Sequence, residues 1–387
     1  MNYRHSIKSN KIENIRDGKK YYFLTLIFIQ GIAIALLFIN TTALAATVNP
    51  CPQGMAMISG GTFKMGSDNS SFVEERSPGD ITVANFCIDK YEVTNSQFGE
   101  FVKATGYVTV AERPLSQEQF PDLPDEQRLP GSLVFEMVKP GVKQVSFLSW
   151  WHWTTGANWQ HPFGPDSAIA SKSNYPVVHI AYEDALAYAK WSGKSLPTEA
   201  QWEYAARGGL DGAIYAWGDE YSEHRANTWQ GIFPFFNTKA DGHLGIAPIG
   251  SFAPNGYGLY DMTGNVWEWT TDFFQVGRDR KSHQINPIAL NQSFDPNKPN
   301  ESELHVIKGG SYLCAPNYCS RFRPAARESE SPDTGTTHIG FRLVKNLSSS
   351  TLDLLHKSNI PPLIPPYKGG KLEILPPPLH KGRVGEG

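Results

Sequence analysis

Glycine and proline interrupt this chain so often that long regular elements are excluded. The 35 glycines and 28 prolines together exceed a seventh of the 387 residues. They favour turns, short strands and brief helices. Apolar residues (40%), aromatics (12%) and a charged fraction of only 19% still allow a sizeable core to be buried. A net charge of −3, with no basic patch interleaved with aromatics, argues against nucleic acid or an anionic membrane as the main partner.

Residues 1–46 read as a targeting segment, to be excluded from the fold. Arg4, Lys8, Lys11, Arg16, Lys19 and Lys20 precede a nearly continuous apolar run over residues 21–39. Ala43-Leu44-Ala45 then supplies a signal-peptidase site. An uncleaved membrane anchor fits the same run, which is about long enough to span a bilayer. Either way the rest of the chain is expected outside the cytoplasm, periplasmic or secreted, where disulfides are permitted. At the other end, residues 346–387 carry two Pro/Gly/Lys blocks and read as a disordered tail.

The folded region is therefore expected over residues 51–345. Met55-Ala-Met-Ile and Thr62-Phe-Lys-Met, separated by Gly60-Gly61, read as two strands, and residues 81–88 as a third. Thr94-x-x-Gln97 and Thr198-x-x-Gln201 are capping boxes that open helices. The first helix stops before Gly106 and the second at Gly208-Gly209. Tyr182, Ala185, Leu186 and Ala189 mark another helix between them, ending near Gly193. Residues 212–306 read as loops and short strands, whose backbone groups need bound ions or dense hydrogen bonding.

Four cysteines remain: Cys51, Cys87, Cys314 and Cys319. Three pairings are open, the simplest being a structural bridge between Cys51 and Cys87. Between Cys314 and Cys319, Ala315-Pro316-Asn317-Tyr318 favours a turn that brings the sulfurs together. Lys308, Arg321, Arg323 and Arg327 lie near in sequence, and positive charge favours thiolates. Two facing thiolates suit a soft ion such as Cu(I), or a redox-active disulfide. An inert hairpin disulfide fits the spacing nearly as well.

The flanking residues add a resemblance. Lys308-Gly-Gly-Ser-Tyr-Leu-Cys-Ala-Pro-Asn-Tyr-Cys-Ser-Arg-Phe-Arg323 and Gly340-Phe-Arg342 resemble the C-terminal signature of formylglycine-generating enzymes. Gly156-Ala-Asn-Trp-Gln-His-Pro-Phe-Gly-Pro-Asp-Ser167, Leu196-Pro-Thr-Glu-Ala-Gln-Trp-Glu-Tyr204, Asn227-Thr-Trp-Gln-Gly-Ile-Phe-Pro234, Asn255-Gly-Tyr-Gly-Leu-Tyr260 and Gly264-Asn-Val-Trp-Glu-Trp269 match in order. The Trp-Glu-Trp and Gly-Phe-Arg motifs are shared with non-oxidising relatives. The cysteine pair in Gly-Gly-Ser-Tyr-x-Cys-x4-Cys separates the generating enzymes from them.

The resemblance implies a single compact α+β domain with few regular elements, a variant of the C-type-lectin-like topology. It implies an oxidase, acting as a monomer, that uses O2 to convert the cysteine of a Cys-x-Pro-x-Arg stretch in an unfolded sulfatase into formylglycine. Cys314 and Cys319 would hold Cu(I), with Ser311 and Tyr318 as polar helpers and Trp267 as a wall. Calcium would be bound by the side chains of Asn227 and Asp241 with the carbonyls of Thr228 and His243. A second calcium would use Asp261 and Glu268 with the carbonyls of Gly264 and Val266, and Glu92 would support a further site. Two disulfides of animal members are absent, their positions holding Ala189, Leu343, Ala206 and Pro324. Ala315-Pro316-Asn317 also departs from the animal pattern. The rival reading is a non-catalytic binding module of the same fold with a structural Cys314–Cys319 bridge. An iron-dependent oxidase would need a histidine-rich site that is not evident.

Overall fold

The computed structural model describes residues 50–347, except 118–120, 140, 142–144, 277–283, 286–292 and 299–302. The targeting segment and nearly all of the tail lie outside the described residues. The described residues form a compact α+β domain.

Among the described residues, fourteen short strands form five small sheets. β1 (Met55–Ile58), β4 (Phe86–Asp89) and β14 (Val344–Asn346) make the first, which joins the two ends of the domain. Cys51 and Cys87 are disulfide-bonded beside it, with Cα atoms 5.6 Å apart. β2 (Gly61–Met65), β3 (Gly79–Val83) and β10 (Gln284–Ile285) make the second. The expected strand over residues 81–88 is thus two strands in different sheets. The break falls at Ala84-Asn85, where Asn85 Oδ1 accepts from the Gly60 amide at 2.7 Å. β5 (Gly131–Phe135) with β6 (Trp151–Thr155), and β7 (Gly231–Ile232) with β8 (Phe236–Asn237), are antiparallel ribbons.

The central sheet has the order β12-β11-β9-β13, formed by Arg327–Glu330, His305–Lys308, Trp267–Phe273 and Ile339–Gly340. The helices Asn95–Thr105 and Glu199–Arg207 open with the expected capping boxes. Both close on a left-handed glycine, Gly106 and Gly208. Each cap satisfies two amides that a helix N-terminus otherwise leaves bare, an effect worth ~1 kcal/mol. The third helix, Tyr182–Trp191, starts at Ala181, where Asp184 replaces a hydroxyl cap by accepting from the Ala181 amide at 3.0 Å.

Two large apolar clusters fill the core around sheet and helices. One gathers Phe98, Phe101, Tyr188, Trp267, Trp269, Phe341 and Cys314; Ala189 and Leu343 lie in it as ordinary packing residues. The other gathers Ile58, Phe63, Ile81, Trp202 and Met262. A third, smaller cluster of Phe135, Trp150, Trp229, Phe233, Tyr312 and Ala315 underlies the cysteine turn. No helix among the described residues is long and apolar enough to cross a membrane.

Candidate active site

Strand β11 delivers the cysteines. It ends at Lys308, and the next two residues, Gly309 and Gly310, both take left-handed backbone angles (φ 95° and 73°). A Cβ on Gly310 would lie 2.9 Å from the Arg321 carbonyl oxygen and 3.0 Å from Phe322 Cα, so only glycine fits without displacing that backbone. The chain then turns: the Ser311 carbonyl accepts from the Cys314 amide at 2.9 Å. The Ser311 hydroxyl accepts from the Leu313 amide at 3.2 Å. The Ala315 carbonyl accepts from the amides of Tyr318, Cys319 and Ser320 at 2.9–3.1 Å. The expected fold-back is present, and the two sulfurs are in bonding contact with Cα atoms 5.0 Å apart. Cys314 is only 2% exposed, whereas Cys319 is partly open at the edge of the cluster that contains Trp267.

The basic side chains expected to polarise these sulfurs are committed elsewhere. Fully buried Lys308 lies 3.1 Å from Glu203 and 3.6 Å from Glu199. Arg327 pairs with Glu199 at 2.8 Å. Arg321 pairs with Glu74 at 2.7 Å, and Arg323 with Glu75 at 2.8 Å. A carboxylate neutralises each cation, so nearness in sequence does not become a positive environment for the thiols. Aromatic rings surround them instead. Tyr318 stacks on Phe233 (centroids 4.3 Å apart) and meets the edge of Trp150 at 5.9 Å.

The other expected residues surround the same loop. Gly264 donates to the Gly309 carbonyl at 2.8 Å, and Tyr312 donates to the Asn265 carbonyl at 3.0 Å. The loop over residues 261–266 is thereby bonded to the cysteine turn. Asn227, Thr228, Asp241 and His243 come together beside it. Asp241 accepts from the amides of Thr228 (3.1 Å) and His243 (2.9 Å) and from Gln230 Nε2 (3.0 Å). Asn227 Nδ2 donates to the Gly245 carbonyl and to Asn265 Oδ1.

The second expected ion site is crowded with buried charge. Glu268 is fully buried, and both its oxygens accept from Arg342, at 2.7 Å each, while Trp202 Nε1 donates to it at 2.8 Å. The bidentate guanidinium and the indole take three of the roughly four acceptor positions of that carboxylate. Its neighbours are not so provided for. Asp261 accepts one amide, from Gly250 at 2.6 Å, and burial pushes its carboxyl up to about 6. Glu92 accepts from Asn265 Nδ2 at 3.1 Å on one oxygen, and its other oxygen is buried without a partner. Burial, and then Asp261, drive Glu92 well above the ordinary carboxylate range. Three buried carboxylates thus face one guanidinium, a charge imbalance that a divalent cation would offset. Among the described residues, no three His, Cys, Asp or Glu side chains converge on one metal-sized point. A cation here would therefore need backbone carbonyls among its ligands.

The sequence reading missed the buried Lys308–Arg327–Glu199–Glu203 cluster beneath the sheet. Glu199 and Glu203, four apart on a helix otherwise facing the core, were the available signal.

Residues 41–347 match the model of the sulfatase-modifying factor enzyme 1-like domain. A protein named formylglycine-generating enzyme, from Mycobacterium tuberculosis, is 49% identical over 297 residues, covering 74% of this chain and 95% of the relative. A cattle protein named inactive C-alpha-formylglycine-generating enzyme 2 is 36% identical, covering 74% and 86%. Among solved structures, PvdO from Pseudomonas aeruginosa superimposes with a TM-score of 0.51 at 24% identity, covering 76% of this chain and 94% of PvdO, a likeness of fold. With the whole described domain inside the match, the chain belongs to the sulfatase-modifying factor enzyme 1-like family.

Proposed function

We propose that this chain is a copper-dependent oxidase that uses O2 to convert the cysteine of a Cys-x-Pro-x-Arg stretch in an unfolded sulfatase to Cα-formylglycine, and so activates the sulfatase. The observation that carries this reading is the Cys314–Cys319 pair, one sulfur buried and the other partly open, at the end of Gly309-Gly-Ser-Tyr. One turn brings two soft sulfurs together, and with the bond between them reduced Cys314 and Cys319 would be the ligands of a Cu(I) ion. Bound Cu(I) would supply affinity for the substrate thiol and the one-electron chemistry that O2 requires.

The chain's own residues do the rest. The double glycine turn fixes where the sulfurs stand, and the partly open Cys319 gives an incoming thiol its approach. Cys314 and Trp267 belong to one apolar cluster, which keeps bulk water from the inner sulfur. Ser311 shapes the turn through the Leu313 amide, and Tyr318, exposed at the rim, is placed to contact the substrate. In the same reading calcium ties the loops together. Asn227 and Asp241, with the Thr228 and His243 carbonyls, would take one ion. Asp261 and Glu268, with the Gly264 and Val266 carbonyls, would take another, and Glu92, with its open oxygen, would support a further site. The protein works outside the cytoplasm, where the Cys51–Cys87 bridge can persist.

The name of the cattle relative favours one rival, a non-catalytic module of the same fold. Incubation of Cu(I)-loaded protein with a Cys-x-Pro-x-Arg peptide in air decides between them. The enzyme reading expects a mass loss equal to sulfur exchanged for oxygen with two hydrogens removed, abolished in Cys314→Ser and Cys319→Ser. A folded, copper-loaded wild type that leaves the peptide intact establishes the module instead.

A further inference from the structure

The exposed apolar residues of this domain are unevenly placed. Several, such as Val73, Val108, Leu129 and Leu244, stand singly on separate loops, as on most protein surfaces. The cysteine turn is different. Phe147 (62% exposed) and Leu148 (65%) occupy the short 3-10 turn that leads into Trp150. Ile232 (60%), Phe235 and Phe236 (58%) project from the β7–β8 ribbon.

Both segments are tied to the cysteine turn through one aromatic stack. Trp150 meets the edge of Phe233 at 5.5 Å, and Tyr318 contacts both rings. The Val138 amide donates to the Pro234 carbonyl at 3.1 Å, which fixes the ribbon against the segment that follows β5. Trp229 Nε1 donates to the Phe236 carbonyl at 3.1 Å, so the ribbon tip is held while its side chains stay outside. Apolar surface on a supported scaffold next to a reactive pair is a binding surface rather than a gap in the core.

We propose that this rim is a docking platform for apolar residues flanking the modified cysteine of the client, outside the Cys-x-Pro-x-Arg core. The inference rests on the activity proposed above and adds a preference among clients. The occupant is an unfolded sulfatase segment because the rim is continuous, through Tyr318 and Phe233, with the one place where the substrate thiol must arrive. Sequence beside a reactive cysteine that is apolar and destined for a core is still exposed in an unfolded client. It is therefore available to bind before folding hides it.

The test uses two long peptides with one Cys-x-Pro-x-Arg core, flanked by leucine and phenylalanine or by serine, and the Cu(I)-loaded full chain. The apolar peptide is expected to show a KM about tenfold lower with kcat little changed, the scale of burying one large apolar side chain. In Phe236→Gln, and independently in Leu148→Gln, that ratio should shrink toward one, while near-UV circular dichroism confirms the fold. Equal KM values for the two peptides on an active wild type overturn the platform and leave the oxidase standing. No conversion of either peptide refutes the oxidase itself. If the KM ratio emerges only after removal of residues 346–387, or only on dilution below a dimer's dissociation range, the occupant is the chain's own tail or a second copy, and the proposal is wrong.

Discussion

Cys314 and Cys319 stand five positions apart yet meet different surroundings, the first among buried aromatics and the second beside half-exposed Tyr318. Packing and access, rather than charge, set them apart, because the nearby cations are paired with Glu74, Glu75, Glu199 and Glu203. Another single residue makes the domain sensitive to acid. His179 is fully buried, with its ring nitrogens 2.7 Å from Ser132 Oγ and 2.9 Å from the Pro162 carbonyl. Burial pushes it down to about 4, so the folded chain refuses a proton that the unfolded chain accepts below about 6.5. Stability contributed by neutral His179 is thus present above pH 6.5 and is lost as pH falls toward 4, by up to ~3 kcal/mol. Asp184 and Asp272, held up to about 7 by burial, act in the opposite sense over part of this range. Comparing wild type with His179→Gln isolates the histidine: urea unfolding between pH 7 and pH 4.5 should show the variant losing less stability. Parallel curves would exclude the assignment.

At the scale of elements, the cysteine loop is only as well placed as the glycines that launch it. Gly310→Ala puts a methyl group against the Arg321 carbonyl at a left-handed φ and should cost ~1–3 kcal/mol. Conversion should drop further than a stability loss of that size explains, because the turn that carries Cys314 is displaced. Thermal melts and initial rates on one preparation check this, and wild-type rates in the Gly310→Ala protein would show the turn to be tolerant. Such elements were legible in the sequence when their signal was local. Thr94 with Gln97, Thr198 with Gln201, and the terminal glycines are complete within one turn of helix. The broken strand at Ala84-Asn85 was not, because Asn85 bonds Gly60, 25 residues away. The pairing of Lys308 with Glu203 spans 105 residues, and no spacing rule reaches that far. The same holds for Glu268, whose claim by Arg342 comes from 74 residues downstream. Sequence order brought Lys308 and the arginines to the cysteines, and long-range ion pairs took their charge away.

Over the whole molecule, the loops between residues 227 and 266 are joined to the cysteine turn by backbone bonds, and Asp261 in them meets Glu92 in a buried group of carboxylates. A chelator should therefore lower the melting temperature, and added calcium should restore it. At a hundredfold excess over the dissociation constant, the gain is ~2.7 kcal/mol. Glu92→Gln should blunt the response, and a melting temperature indifferent to both chelator and calcium would remove the ion from the account. The central claim concerns chemistry at one pair of sulfurs, and one measurement reaches it: mass spectrometry of a Cys-x-Pro-x-Arg peptide after incubation with the Cu(I)-loaded protein in air. The peptide cysteine should lose sulfur and two hydrogens and gain one oxygen, with neither Cys314→Ser nor Cys319→Ser able to do it. An unchanged peptide beside folded, copper-loaded wild-type protein would contradict the account.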